Sequence, residues 1–133
     1  MLRFLLDTNA AIRRLTDTKK LSREQTRIPD DLENRGLPFA LSAVSLLEIG
    51  VLHGDERGRI KGDAQELLYV LGDHPLCKIL PLTVEIAAEV AALGPSLRDP
   101  ADRAIVATAR IHRLKLLTSD QRIIASNLVR VIE

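Results

Sequence analysis

The sequence predicts an α/β fold: a central parallel sheet of about five strands flanked by helices. Three observations carry this. Short apolar runs at Arg3–Leu6, Phe39–Leu41, Cys77–Leu82, Lys115–Thr118 and Leu128–Ile132 alternate with longer segments of helical character. No Asn-Gly hairpin turn joins any two of them, so the connections read as crossovers between parallel strands. Two of the runs end on an acid, Asp7 and Asp120, and in open parallel sheets chemistry collects at the carboxyl ends of strands.

Each element has its own signal. The run at Arg3–Leu6 stops at Asp7, and Thr8 or Asn9 is placed to cap a helix reaching about Leu15. Residues 16–38 are polar and broken by Pro29, Gly36 and Pro38, which predicts one or two short helices and a mobile connection. Ser42 precedes an apolar helix from about Val44 to His53. Gly50, Gly54, Gly58 and Gly62 recur at every fourth position among charges, the pattern of a solvated helix end and loop. Helical character resumes over Asp63–Gly72. Thr83 caps a helix through about Leu93 that carries Glu85 and Glu89 on its outer face. Pro100–His112 is an Ala-rich helix, and Asp120–Ala125 a short one before the last strand. No linker, repeat or low-complexity tract interrupts the chain, so residues 1–133 are expected to form one domain.

Composition narrows the function classes. The chain has 133 residues, 46% of them apolar and 28% charged. Lys plus Arg is 19 against 18 Asp plus Glu, a net charge of +1, so no overall field advertises nucleic acid or a membrane, although a local basic patch can still exist. One cysteine, Cys77, excludes an internal disulfide and a cysteine-only zinc cluster, and fits a reducing cytoplasm. No apolar stretch reaches the ~18 residues that span a bilayer, and the start has too short an apolar run for a secretory signal. The common glycine-rich phosphate loops are absent. Phe4, Phe39 and Tyr69 are the aromatics, too few for a base-stacking platform.

The acids are the informative residues. Helix capping accounts for Asp7 and Asp120 taken singly. Glu48 is different, because three of its helical neighbours, Val44, Val51 and Leu52, are apolar. That places it at the edge of a buried face, where its carboxylate either reaches water or meets a cation or a proton. In Asp99-Pro100-Ala101-Asp102, Asp99 suits an N-cap, Pro100 the first turn and Asp102 the acidic start of a helix, and Arg103 can pair with Asp99. Two unit charges about 5 Å apart repel by roughly 3 kcal/mol at an effective dielectric of 20. Four acids in one pocket would thus cost on the order of 10 kcal/mol, comparable to the whole stability of such a domain. A cluster of this kind survives by protonation or by binding a divalent cation, and oxygen-only ligands select Mg²⁺ or Mn²⁺. Mg²⁺ on carboxylates mostly serves hydrolysis or transfer at phosphate.

At these residues the sequence resembles the PIN-domain ribonucleases, specifically the VapC-like toxins of bacterial toxin–antitoxin pairs. The matching pieces are Leu5-Leu6-Asp7-Thr8-Asn9, Ser45-Leu46-Leu47-Glu48-Ile49, Asp99-Pro100-Ala101-Asp102-Arg103 with its continuation to Ala109, and Leu117-Thr118-Ser119-Asp120. They occur in the family's order and span nearly the whole chain. The resemblance implies a PIN-like three-layer sandwich with an acidic pocket, and Mg²⁺- or Mn²⁺-dependent endonuclease cleavage of RNA. Carried over position by position, it makes Asp7, Glu48, Asp102 and Asp120 the catalytic and metal-binding acids. Asp102 takes precedence over Asp99 because it stands in the family's D-x-x-I-x-A-T-A register. Asp99 then becomes a helix cap supporting the site, with Thr8 and Ser119 as polar helpers for a ligand or water. The resemblance also implies an RNA substrate, a homodimer, a cytoplasmic location with no membrane, and a cognate antitoxin that lays a segment across the acidic groove. The stretch from Asp17 to Pro38 is longer than in the smallest members. The basic loop with Arg57, Arg59 and Lys61 is either a solvated loop or a contact for RNA or antitoxin.

Other readings have distinct signatures. A catalytically silent member of the same fold could serve as a binding module or regulatory scaffold, yet all four acids are present. A haloacid-dehalogenase-type phosphatase would need a second Asp two residues after Asp7, and position 9 is Asn. A purely structural domain would use every acid as a cap. His53, His74 and His112 lie outside the acidic motifs, and His112 suits a helix C-terminus. Arg13 and Arg14 are either surface residues or phosphate contacts at the groove rim.

Overall fold

The computed structural model describes residues 2–52 and 64–133. Five strands form one wholly parallel sheet: β1 (Phe4–Leu6), β2 (Phe39–Ser42), β3 (Cys77–Leu80), β4 (Lys115–Leu117) and β5 (Val131–Ile132), in the order β3-β2-β1-β4-β5. Among the described residues, seven α-helices cover its faces: α1 (Thr8–Thr16), α2 (Arg23–Asn34), α3 (Ala43–Leu52), α4 (Ala64–Asp73), α5 (Val84–Ala92), α6 (Pro100–His112) and α7 (Gln121–Ser126). This is the expected α/β sandwich. The strand order steps from β1 out to β3, then returns to start again on the other side of β1. The gap between the ends of β1 and β4 is therefore the switch point of the sheet, where such folds open a crevice.

The alternation of side chains along the strands builds two cores. Phe4 and Leu6 face one way, with Phe39, Leu41 and Cys77, against α1 to α4. Leu5, Ala40 and Leu116 face the other way, against Ile86 of α5, Ile105 of α6 and Ile123 of α7. Both faces are covered, which is why the strands read as apolar runs without polar alternation. Cys77 is part of the first core, and burial pushes its thiol up to about 11, so it behaves as a small apolar residue.

Several expectations are corrected in detail. The cap of α1 is Asp7 itself, whose side chain accepts from the Ala10 N–H at 2.7 Å, rather than Thr8 or Asn9. The region 16–38 holds a short 3-10 turn at Thr18–Lys20 and one α-helix, α2, in keeping with the one or two short helices expected, but α2 continues through Pro29 instead of breaking there. A reciprocal capping box explains why α2 forms: Ser22 Oγ accepts from Gln25 N and Gln25 Oε1 accepts from Ser22 N, both at 3.1 Å. β3 ends at Leu80, leaving Leu82 exposed, and β5 is confined to Val131–Ile132. Glu89 does not stand free on an outer face; it pairs with Arg110 of α6 at 2.9 Å. The helix expected over Asp63–Gly72 is α4; its expected first residue Asp63, the expected end of the preceding helix at His53, and the glycine-punctuated basic loop lie outside the described residues.

Arg103 has a different task from the pairing with Asp99 that its spacing suggested. Its guanidinium donates to the carbonyl oxygens of Val90, Gly94 and Leu97, each at 2.6 Å. It thus closes the C-terminal end of α5 and fixes the turn that leads to Asp99. Arg103→Ala should cost about 2 kcal/mol in chemical denaturation, because it strands these carbonyls, and Arg103→Lys should recover only part of that.

A candidate active site at the switch point of the sheet

A cleft of about 430 Å³ opens at the carboxyl ends of β1 and β4, lined in part by Asp7, Glu48, Asp99, Asp102, Asp120 and Arg122. Five acids from four separate stretches of the sequence therefore meet in one place. Each arrives by a simple local rule. Asp7 directly follows β1 and Asp120 comes three residues after the end of β4, and they cap α1 and α7. Asp120 Oδ1 accepts from Arg122 N at 2.9 Å. Asp99 caps α6, accepting from Asp102 N at 2.9 Å, and Asp102 follows in the first turn. Glu48 projects from the middle of α3 at the expected edge position, half-buried, with Leu47 and Val51 exposed beside it. The N-termini of α1, α6 and α7 thus all point at the cleft, and their dipoles offset part of the negative charge.

Hydroxyl groups hold the acids in position. Thr118 donates to Asp7 Oδ2 and accepts from the Asp120 N–H at 3.0 Å, so one buried hydroxyl links the ends of β1 and β4. Thr8 donates to Glu48 Oε1 at 2.5 Å, and the Thr8 and Ser45 hydroxyls are 2.9 Å apart. Thr8, expected as a polar helper for a ligand or water, lines the cleft and holds Glu48. The Ser119 hydroxyl lies 3.1 Å from Gln25 Nε2, and Ser119 is not among the residues lining the cleft. Gln25, 1% exposed, also reaches the carbonyls of Thr118 at 3.1 Å and Ile132 at 3.2 Å. The turn carrying Thr118 and Asp120 is thus pinned from behind by α2.

The electrostatics follow from the crowding. Burial pushes the Asp7 carboxyl above its ordinary value, with a smaller push from Asp120, against the lowering effect of the Thr118 and Ala10 hydrogen bonds. Asp102 is pushed up to about 7, first by burial and then by the charges of Asp99, Asp120 and Glu48, with Arg122 opposing. The donors are all oxygen, the set that suits a hard divalent cation. Among the described residues no three acids converge on one point as a finished cage, and Mg²⁺ characteristically uses one or two carboxylates and completes its shell with water. The donor chemistry therefore fits such an ion in an open site.

Sequence reasoning left out Thr118, Ser45, Gln25 and Arg122. Thr118 had a signal, since it lies between an apolar strand and an acid that caps a helix. Gln25 had only the Ser-x-x-Gln spacing of its capping box. Arg122 is set by the short first turn of α7, and its Nε lies 3.6 Å from Asp120 Oδ1. Arg14, a candidate rim residue, is instead engaged by Asp30 and Glu33 of α2, each at 3.0 Å, and Arg13 does not line the cleft.

The sequence matches the PIN domain family over residues 4–126. The chain belongs to the PIN-domain family. This PIN domain is 30% identical over 120 residues to a protein of Mycobacterium tuberculosis named Ribonuclease VapC22, covering 90% of this chain and 88% of that one. Its fold is similar to VapBC2 from Rickettsia felis, solved bound to a DNA fragment from their promoter, with a TM-score of 0.71, 15% identity and 99% and 98% of the two chains covered. It is also similar to a toxin–antitoxin complex from Klebsiella pneumoniae, with a TM-score of 0.67, 24% identity and 98% and 96% covered. The resemblance to VapC-like toxins that the acidic motifs implied is thus shown.

Two outcomes follow from this geometry. Below pH 3.8 Asp102 is protonated both folded and unfolded; between 3.8 and about 7 only the folded state keeps the proton. The metal-free protein should therefore lose stability as pH rises from about 4 to about 7, the reverse of an ion-paired aspartate. Asp102→Asn should flatten that slope and raise the melting temperature at pH 7, as read by calorimetry in EDTA. Gln25→Leu should cost about 1–3 kcal/mol, since it removes the partner of two buried carbonyls.

Proposed function

We propose that this PIN domain is an Mg²⁺- or Mn²⁺-dependent endoribonuclease and the toxin of a toxin–antitoxin pair. The observation that carries the reading is the cleft that gathers Asp7, Glu48, Asp102 and Asp120 at the switch point, with Asp102 pushed up to about 7 by burial and then by the charges beside it. Such crowding is relieved by a divalent cation, and these four carboxylates are the residues that would hold it. When bound, Mg²⁺ or Mn²⁺ supplies a water of lowered pKa and positive charge against a phosphate. Asp7 is kept in place by Thr118 and by the Ala10 N–H, and Glu48 by Thr8, so neither has to reorganise when substrate arrives. Asp99 sets the start of α6 and thereby the position of Asp102. Arg122 is the one cation lining the cleft among its described residues, and it stands where a phosphate would approach.

The name of the Mycobacterium relative supports ribonuclease activity, and the complexes solved for similar folds support an antitoxin partner. The exposed apolar side chains Leu82 and Val84, the latter 88% accessible, leave surface for a homodimer or that partner. No described helix is long and apolar enough to cross a membrane, and the cytoplasm is where an RNA substrate would be met. A catalytically silent binding module is less favoured, because it gives no reason to keep four acids in mutual repulsion.

Purified protein incubated with a structured RNA pool should cleave with Mg²⁺ or Mn²⁺ and not with EDTA. Asp7→Ala and Asp120→Asn should each lower the rate on the order of 100-fold or more, with the fold retained by circular dichroism. Metal-independent cleavage, or full activity in Asp7→Ala, would refute the reading.

A further inference from the structure

The end of the sheet opposite the acids carries the opposite charge. A second concavity, of about 500 Å³, is lined by Arg3, Arg110, Arg113, Lys115 and Arg130 among apolar residues, and no acid lines it. An adjoining hollow of about 310 Å³ shares Arg3 and Lys115 and adds Arg35 together with Arg27 and Asp31, which pair with each other. Arg110 is engaged by Glu89 and by the Leu128 carbonyl. Arg3, Arg113, Lys115 and Arg130 are exposed, and no ion pair among the described residues uses them.

The backbone holds three of these cations in a row. Arg3, Lys115 and Arg130 stand at the amino ends of β1, β4 and β5, which are consecutive in the sheet. Lys115 N donates to Arg3 O at 3.2 Å and Leu116 N to Arg130 O at 2.8 Å, so the row follows the strand spacing of ~4.8 Å. The β4–β5 register sets Lys115 opposite Arg130, and like charges so placed are unfavourable on their own, while Arg3 stands one residue before Phe4, the partner of Lys115. Helix-dipole neutralisation accounts for cations at the end of α6, but not for three that sit on strand ends. Arg113 adds a second oddity: it holds the left-handed conformation, φ 56°, at the end of α6, where glycine is the unstrained choice.

We propose that this edge is a second RNA contact, an exosite that grips the phosphate backbone of the substrate away from the acidic cleft. The inference rests on RNA being the substrate. The row spans two strand spacings, about 10 Å, a width suited to a single backbone and not to a duplex. No aromatic lines the larger concavity, so its contacts are with phosphate and carry no base sequence. The two sites lie at opposite ends of β4, at most about 16 Å apart from Lys115 to Asp120 even if the chain between them were fully extended, which a folded RNA passing round the domain can bridge. A net charge of +1 gives no general attraction for RNA; its segregation into an acidic end and a basic end does so locally.

The test measures binding without cleavage. A labelled RNA hairpin with single-stranded tails is titrated in EDTA by fluorescence anisotropy between ~50 and ~200 mM salt. The variant Arg3→Gln/Arg113→Gln/Lys115→Gln/Arg130→Gln takes the net charge from +1 to −3, as does a control, Lys19→Gln/Lys20→Gln/Arg23→Gln/Lys78→Gln. Losing four phosphate contacts should make the slope of log K against log salt shallower by about 3, and weaken binding at least ~10-fold at ~150 mM salt, with a much smaller change in the control. Should the quadruple variant fail to fold, Arg3→Gln/Lys115→Gln is read in the same way, with half the change in slope. Equal losses in patch variant and control, unchanged binding in the patch variant, or no RNA binding by the wild type would each overturn the proposal. Because EDTA silences any metal-dependent step, a failed exosite leaves cleavage untouched, and a failed nuclease reading appears as absent cleavage with binding intact.

Discussion

The parallel pairing of β1 with β4 is the contact on which the rest depends. These two strands are neighbours in the sheet although more than a hundred residues separate them, and the chain reverses its winding between them. The ladder ends with Asp7 N donating to Leu117 O at 3.1 Å. One residue beyond, the Thr118 hydroxyl reaches Asp7. The strand ends must then part, because α1 leaves over one face and α7 over the other. That parting is the cleft.

Everything electrostatic follows from having put acids there. Each acid is locally reasonable, since a carboxylate at a helix start satisfies free N–H groups and meets a favourable dipole. Collectively they are not: Asp102, buried and then crowded by Asp99, Asp120 and Glu48, holds its proton up to about pH 7. The buried faces of the sheet supply the free energy that keeps them together, with hydroxyls of Thr118 and Thr8 and the Gln25 brace allowing no relaxation outward. Local stability and collective strain at one point are what a binding site for a cation requires.

Charge is also distributed over the length of the strands. Helices antiparallel to the strands bring their N-termini to the acidic end and their C-termini to the basic end. Acids and bases at those positions each suit the nearest dipole, so the same wiring that makes the fold also polarises it. The row of Arg3, Lys115 and Arg130 goes further than dipoles demand, because it lies on strands.

How much of this was legible depended on range. The apolar runs, the helices that follow them, the caps at Asp99 and Asp120 and the edge position of Glu48 were readable, because each is set by residues within a turn or two. Pro29 misled, because a capping box and the packing of Leu32 outweigh one lost hydrogen bond in α2. The roles of Thr118, Gln25, Arg103 and Ser119 were not readable. Each is decided by a partner brought close by the sheet: Gln25 meets Thr118 across 93 positions, and Thr118 meets Asp7 across 111. The sequence alone determined the alternation of strand and helix and which acids stand at element starts, since short-range sterics and hydrogen bonding act on neighbours. Only the tertiary structure decided that those acids share one cleft, which hydroxyl holds them and where the free cations line up, since strand order is settled by burying both faces of the sheet at once.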